Sequence, residues 1–177
     1  MKKIIALGAS NSKQSINKVL ATYIANKVKD ADVSTLDLND YSLPLYGIDL
    51  ENESGVPDDA KKLLENIQNA DGIVLSLAEH NGAYSTAFKN AFDWMSRIDG
   101  KLWNNIPMLL LSTSPGARGG ATVLEMANNR FPYMGGNVVD AIAFPSFFDN
   151  FKEGNVVNKE LELQLQSGVK KLEEVMG

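Results

Sequence analysis

The chain alternates short, uninterrupted apolar runs with longer stretches in which apolar residues recur every three or four positions. Five runs read as strands: residues 3–7, 33–37, 72–77, 107–112 and 137–143. The longer ones are apolar without strict alternation, the pattern of strands covered on both faces. Between them, Ile16, Val19, Leu20, Tyr23, Ile24 and Val28 predict one apolar helix face over about 15–29. Pro57 and Asp58 suit the start of a second helix with Leu63, Leu64 and Ile67 on its inner side. A third helix over about 85–97 aligns Phe88, Phe92 and Met95, with Trp94 also read as core or subunit contact. A fourth runs to about 130, and the last carries Leu161, Leu165, Leu172 and Met176. Two stretches read as irregular. In 38–56, Pro44 and Gly47 bar a regular element; a surface loop tacked down by Leu43 and Leu45 is the reading favoured, and a functional loop packed over a site is the alternative. The other, 144–157, is aromatic.

Strand and helix alternate five times, with no internal repeat or linker. This predicts an α/β fold over residues 1–177 as one domain, an open, doubly wound parallel sheet with right-handed crossovers. Such sheets bind ligands outside the carboxyl ends of their strands. The loops after the first, third and fourth strands lie on that edge, and they are the three polar loops rich in Gly, Ser and Asn.

Composition narrows the chemistry. The net charge of −5 argues against nucleic acid as the main partner. With no Cys and one His, His80, there is no thiolate nucleophile and no multi-histidine metal site. Redox chemistry would need an organic cofactor. The apolar run after Lys2 and Lys3 is too short for a signal peptide, and no segment is long enough to span a bilayer. A cytoplasmic protein is the expectation.

The first loop, Gly8-Ala9-Ser10-Asn11-Ser12-Lys13-Gln14-Ser15-Ile16-Asn17, leads from a strand into a helix. Backbone N–H groups at a helix start suit a phosphate, and Ser10, Ser12, Ser15 and Asn17 add neutral donors. A flavin nucleotide phosphate is the reading favoured; an ordinary capped helix gives a similar pattern. No P-loop or dinucleotide-binding glycine motif follows the first strand. In the second loop, Asn81-Gly82 permits positive φ, so backbone donors can face a flat ring, framed by Glu79, His80 and Tyr84. The alternative is an ordinary turn, with Glu79 at a helix start. In the third, which also holds Ser112 and Ser114, the glycines Gly116, Gly119 and Gly120 let backbone reach the cofactor edge; the alternative is a flexible loop with a tight helix–sheet contact, and Arg118 is read as a solvated side chain rather than a partner for a dinucleotide phosphate.

Three stretches resemble the NADPH-dependent FMN reductases and their quinone, chromate and azo-compound reductase relatives. Ser10, Ser15 and Asn17 match the family's phosphate loop, Gly-Ser-x-Arg-x-x-Ser-x-Asn, with Ala9 for its first Gly and Ser12 for its Arg. The block 78–94 is similar to the flavin-ring loop and the helix after it, with Ala78 and His80 for Pro and Tyr. Ser114-Pro115-Gly116 with Gly119-Gly120 gives the third match. The resemblance implies a flavodoxin-like five-stranded sheet in order 2-1-3-4-5. It implies bound FMN, NADPH or NADH as co-substrate, and ping-pong hydride transfer to a small-molecule electron acceptor such as a quinone, free flavin or azo compound. It also implies a homodimer or homotetramer. The cofactor binders carried over are Ser10, Ser12, Ser15, Ile16, Asn17, Glu79, His80, Asn81, Gly82, Ser114, Gly116 and Gly119. No catalytic side chain and no metal ligand are implied. A non-enzymatic flavodoxin-type electron carrier and a flavin-free binding domain are the alternatives.

Overall fold

The computed structural model describes residues 1–177. In chain order it runs β1 (Lys2–Ala9), α1 (Ile16–Ala25), β2 (Ala31–Leu36), a 3-10 turn (Leu38–Asp40), α2 (Ile48–Ser54), α3 (Asp58–Gln68) and β3 (Gly72–Leu77). The hairpin β4 (Glu79–His80) and β5 (Ala83–Tyr84), α4 (Thr86–Ile98), β6 (Pro107–Thr113), α5 (Ala121–Arg130) and a second 3-10 turn (Phe131–Met134) follow. Last come β7 (Asn137–Phe144), α6 (Phe147–Asn150), the hairpin β8 (Phe151–Lys152) and β9 (Asn155–Val156), and α7 (Lys159–Met176).

Five strands form one parallel sheet in the order β2-β1-β3-β6-β7. Counting only these strands, that is the expected 2-1-3-4-5 flavodoxin-like arrangement. Side chains alternate between two helical layers, as the period of a strand requires. Ile5, Leu7, Ile73, Leu75, Met108 and Leu110 join the core with α3, α4 and α5. Ile4, Ala6, Val74, Leu109 and Leu111 join the other with α1 and α7. Burial on both faces leaves the inner strands no polar side, which is why their sequence reads as continuous apolar runs. Strand order reverses between β1 and β3, so the loops after β1, β3 and β6 meet at one edge.

Several local expectations change. α1 ends at Ala25, not near Lys29, and Val19 on it is exposed. The stretch 38–56 is not irregular throughout. Gly47 stands as N-cap of α2 and so starts a helix, and Asp49 and Glu51 in the first turn favour it. Leu45 does not tack its loop down, being 75% exposed. Leu43 does pack against the core, and polar bonds to α4 hold the loop beside it: Asn90 Nδ2 donates to Leu43 O and Pro44 O, Trp94 Nε1 donates to Pro44 O at 2.7 Å, and Tyr46 N–H donates to Asn90 Oδ1. Trp94 is buried, as are Phe88 and Phe92. The loop after β3 is a two-residue hairpin with both turn residues at positive φ, Asn81 at 52° and Gly82 at 74°, the geometry Asn-Gly favours. The stretch 144–157 holds α6 and a second hairpin, seated by Phe151 against Phe147 and Tyr23.

Candidate functional site

A cleft of about 170 Å³ opens at the carboxyl ends of β1, β3 and β6, walled by all three polar loops. Ser10, Ser12, Ser15, Ile16 and Asn17 form one side, Ala78, Glu79 and His80 another, Thr113, Ser114 and Pro115 the third.

The serines of the first loop are wired in series. Ser10 Oγ accepts the Ser12 N–H at 3.1 Å, Ser12 Oγ accepts the Gln14 N–H at 3.2 Å, and Ser15 Oγ caps α1 by accepting the Lys18 N–H at 3.1 Å. A hydroxyl that accepts a bond keeps its own proton to give. No chain acceptor takes the N–H of Ile16 or Asn17, two of the donors a helix start leaves free. Three hydroxyls and two amides without acceptors therefore belong to residues lining one corner, a donor set whose chemistry fits a phosphate. No Lys or Arg lines the corner. Lys18 is turned away into an ion pair with Asp37, which holds that carboxyl below its ordinary range, chiefly through the Lys18 hydrogen bond.

The Asn17 side chain does not offer its amide to the cleft. It is buried, and it bonds to Ser76 Oγ and to both the N–H and carbonyl of Thr113. Only its backbone N–H remains as a donor. Glu79 does not present its whole carboxylate either, because Oε2 accepts the Val123 N–H of α5 at 2.9 Å. Tyr84 is withdrawn from the site. Its ring lies among Phe88, Phe92 and Phe131, and burial pushes the phenol up to about 12. Asn81, Gly82, Gly116 and Gly119 stand outside the cleft's immediate lining. The N–H groups of Asn81 and Gly82 have no partner in the chain. Gly119, at φ 58°, closes its loop; a Cβ there would lie 2.7 Å from the Phe144 carbonyl carbon and from Pro145 N. Arg118 is solvated apart from a bond to Thr122 Oγ1.

Sequence reasoning missed Ser85 and Thr113, and the bracing role of Ser112, among the hydroxyls that hold the three loops in place. Ser85 Oγ donates to Ala9 O at 2.8 Å while accepting the Phe88 N–H, and Thr113 Oγ1 donates to Phe144 O at 2.7 Å. Ser112 Oγ donates to Gly119 O at 2.7 Å. The available signal was a hydroxyl inside or closing an otherwise apolar run, as at Ser76 and Thr113.

His80 also lines a neighbouring cavity of about 450 Å³. Leu38, Tyr41, Leu43 and Leu45 form one wall, Ala87 and Ala91 of α4 the other, and no Asp, Glu, Lys or Arg reaches it.

The model of the NADPH-dependent FMN reductase family matches residues 2–149. An uncharacterized protein of Mycoplasma pneumoniae is 30% identical over 154 residues, covering 84% of this chain and 90% of that one. A quinone reductase of Escherichia coli K12 is 32% identical over 120 residues, which is 67% of this chain but only 63% of the reductase's own length. Among solved structures, the flavoenzyme NAD(P)H:(acceptor) oxidoreductase FerB of Paracoccus denitrificans superposes with a TM-score of 0.82 at 23% identity, over 99% of this chain and 97% of that one. That likeness carries the fold. The family match over most of the chain carries the assignment: this chain belongs to the NADPH-dependent FMN reductases, oxidoreductases that use FMN and NAD(P)H.

Proposed function

We propose that the cleft holds FMN and that the chain passes electrons from NAD(P)H to a small, uncharged acceptor of the quinone type. The observation that carries this reading is the corner where Ser10, Ser12 and Ser15 each retain a free proton beside the unpaired N–H groups of Ile16 and Asn17. These groups hold the phosphate. The unpaired N–H groups of Asn81 and Gly82, with Ser114, Gly116 and Gly119 opposite, border the ring, and His80 stands between ring and acceptor. Bound FMN supplies the hydride chemistry; the chain binds and orients it. Donors aimed at the ring's pyrimidine edge favour its reduced, more negative form.

The neighbouring cavity sets the acceptor class. Its lining is half apolar and half neutral polar with no charged side chain, and the Asn11, His80 and Thr86 side chains there have no chain partner, so they remain for the carbonyls of a planar ring. A dianionic acceptor would find no cation in it. The reading includes a homodimer or homotetramer, supported by the exposed apolar Leu45, Ile48 and Ile98 on segments that Asn90, Trp94 and Arg97 bind together. It also includes the cytoplasm as compartment; no helix is long and apolar enough to cross a membrane.

Fluorescence titration with FMN and with riboflavin tests the phosphate corner. FMN is expected to bind more tightly, and Ser12→Arg, which adds a charge-assisted bond, to tighten FMN about tenfold while leaving riboflavin unchanged. Equal affinity for the two flavins, unaltered by Ser12→Arg, would remove the phosphate from that corner. For the acceptor, Ala87→Phe narrows the second cavity and is expected to raise KM for a neutral quinone about tenfold without changing ferricyanide reduction. Steady-state NADPH and NADH oxidation measures both. An equal effect on the two acceptors places quinone reduction elsewhere, and no turnover with any acceptor leaves an electron carrier.

A further inference from the structure

α5 begins without a cap of its own. Gly120, its N-cap residue at φ 75°, has no side chain to accept a first-turn N–H. Glu79 does so from 44 residues away, its Oε2 accepting the Val123 N–H at 2.9 Å. The apposition is close: a Cβ built on Gly120 would stand 3.6 Å from Glu79 Cβ. A carboxylate at a helix start is stabilised by the partial positive charge there, and an N–H bond to an ionised acceptor is stronger than a neutral one. No other hydrogen bond joins the β4–β5 hairpin to α5 or to the loop that leads into it. Glu79 is therefore the polar tie between two of the three walls of the cleft.

We propose that Glu79 is a positioning residue. It fixes the distance between the hairpin that carries Asn81 and Gly82 and the loop that carries Ser114 to Gly120, and so sets the width of the opening that receives the flavin ring. This role rests on the placement of FMN given above. It follows from the reach of the side chain, which spans from the cleft's lining to the first turn of α5.

Three replacements separate reach from charge. Glu79→Gln keeps an accepting oxygen at full length and drops the charge. Glu79→Asp keeps the charge one methylene short. Glu79→Ala lacks both. FMN affinity is measured by quenching of flavin fluorescence, the absorption spectrum of the bound flavin reports its surroundings, and hydrogen exchange at Val123 is followed in flavin-free protein. Glu79→Gln is expected to bind FMN within about threefold of the wild type, with Val123 still protected. Glu79→Asp and Glu79→Ala are expected to bind at least about tenfold more weakly, with an altered flavin spectrum and faster Val123 exchange. If Glu79→Ala fails to fold, the Gln and Asp variants decide the matter alone. Unchanged affinity in both, or wild-type behaviour in Asp with loss in Gln, overturns the role. A wild-type protein that takes up no FMN overturns it together with the FMN placement, and is told apart because Val123 is then still better protected in Glu79→Gln than in Glu79→Asp.

Discussion

Asn17→Asp is expected to lower stability by about 4 kcal/mol at pH 7 and by almost nothing near pH 4. Asn17 is 3% exposed on the first turn of α1. Its Oδ1 accepts from Ser76 Oγ at 2.7 Å and from the Thr113 N–H at 3.1 Å, while its Nδ2 donates to Thr113 O at 3.2 Å. One amide thus joins α1 to β3 and β6 where those strands end. An ionised aspartate keeps the two accepted bonds but sets its other oxygen against the Thr113 carbonyl. A protonated one restores the missing donor. Protonating a carboxyl of ordinary pKa near 3.9 at pH 7 costs about 1.4 kcal/mol per unit, roughly 4 in all, and this caps the penalty. The folded-state pKa of the new carboxyl lies above its unfolded value, so the folded form binds more protons. Full stability is then present below the unfolded pKa and is lost as pH rises through the folded one. Thermal melts of variant and wild type, compared at the same pH, should differ by roughly 8–16 °C at pH 7 and converge in acid. A side chain that faced the phosphate would give another result: FMN affinity would fall while stability held at every pH.

That contrast shows where sequence reading stops. The inner strands β1, β3 and β6 were legible because a strand buried on both faces must be apolar throughout, and few other elements look so; the partly buried edge strands β2 and β7 were legible from the alternation of strand and helix. The three loops were legible because polar, glycine-containing turns recur at one end of those strands. Neither signal says which way a side chain points. Asn17 reads the same whether its amide faces a ligand or the ends of β3 and β6; the difference lies in Ser76 and Thr113, 59 and 96 residues further on. Glu79 likewise sits beside a plausible ring loop, but its partner is a backbone N–H in α5. α2 was hidden for another reason. It is seven residues long with none buried, so it shows no apolar period, and it stands because Tyr46 and Arg97 bond to Glu51 on its surface.

Gly8→Ala is expected to cost about 3 kcal/mol and to weaken FMN binding at least about tenfold, a larger functional effect than its one methyl suggests. Gly8 lies in β1 beneath the first turns of α1. A Cβ there would stand 2.5 Å from Lys18 Cα and 2.8 Å from Lys18 Cβ, well inside the contact distance of about 3.5–4 Å. The obstacle is helix backbone, which no rotamer change can move aside. β1 is held between β2 and β3, so α1 must give way by about 1 Å. Two things travel with it. The unpaired N–H groups of Ile16 and Asn17 shift relative to Ser10 and Ser12, which stay with the strand end, and the Asn17 amide is drawn off Ser76 and Thr113. Phosphate affinity depends on donors converging on one point, so a rigid displacement weakens all those from α1 together. Gly100→Ala, where a Cβ meets nothing within 4 Å, serves as the control and should leave melting and titration unchanged. Riboflavin distinguishes the cause. If α1 acts through the phosphate, riboflavin affinity in Gly8→Ala stays near the wild-type value while FMN affinity falls toward it; an equal loss for both flavins would mean that the helix shift reaches the ring loops, and that the corner is not the independent anchor its donor set suggests.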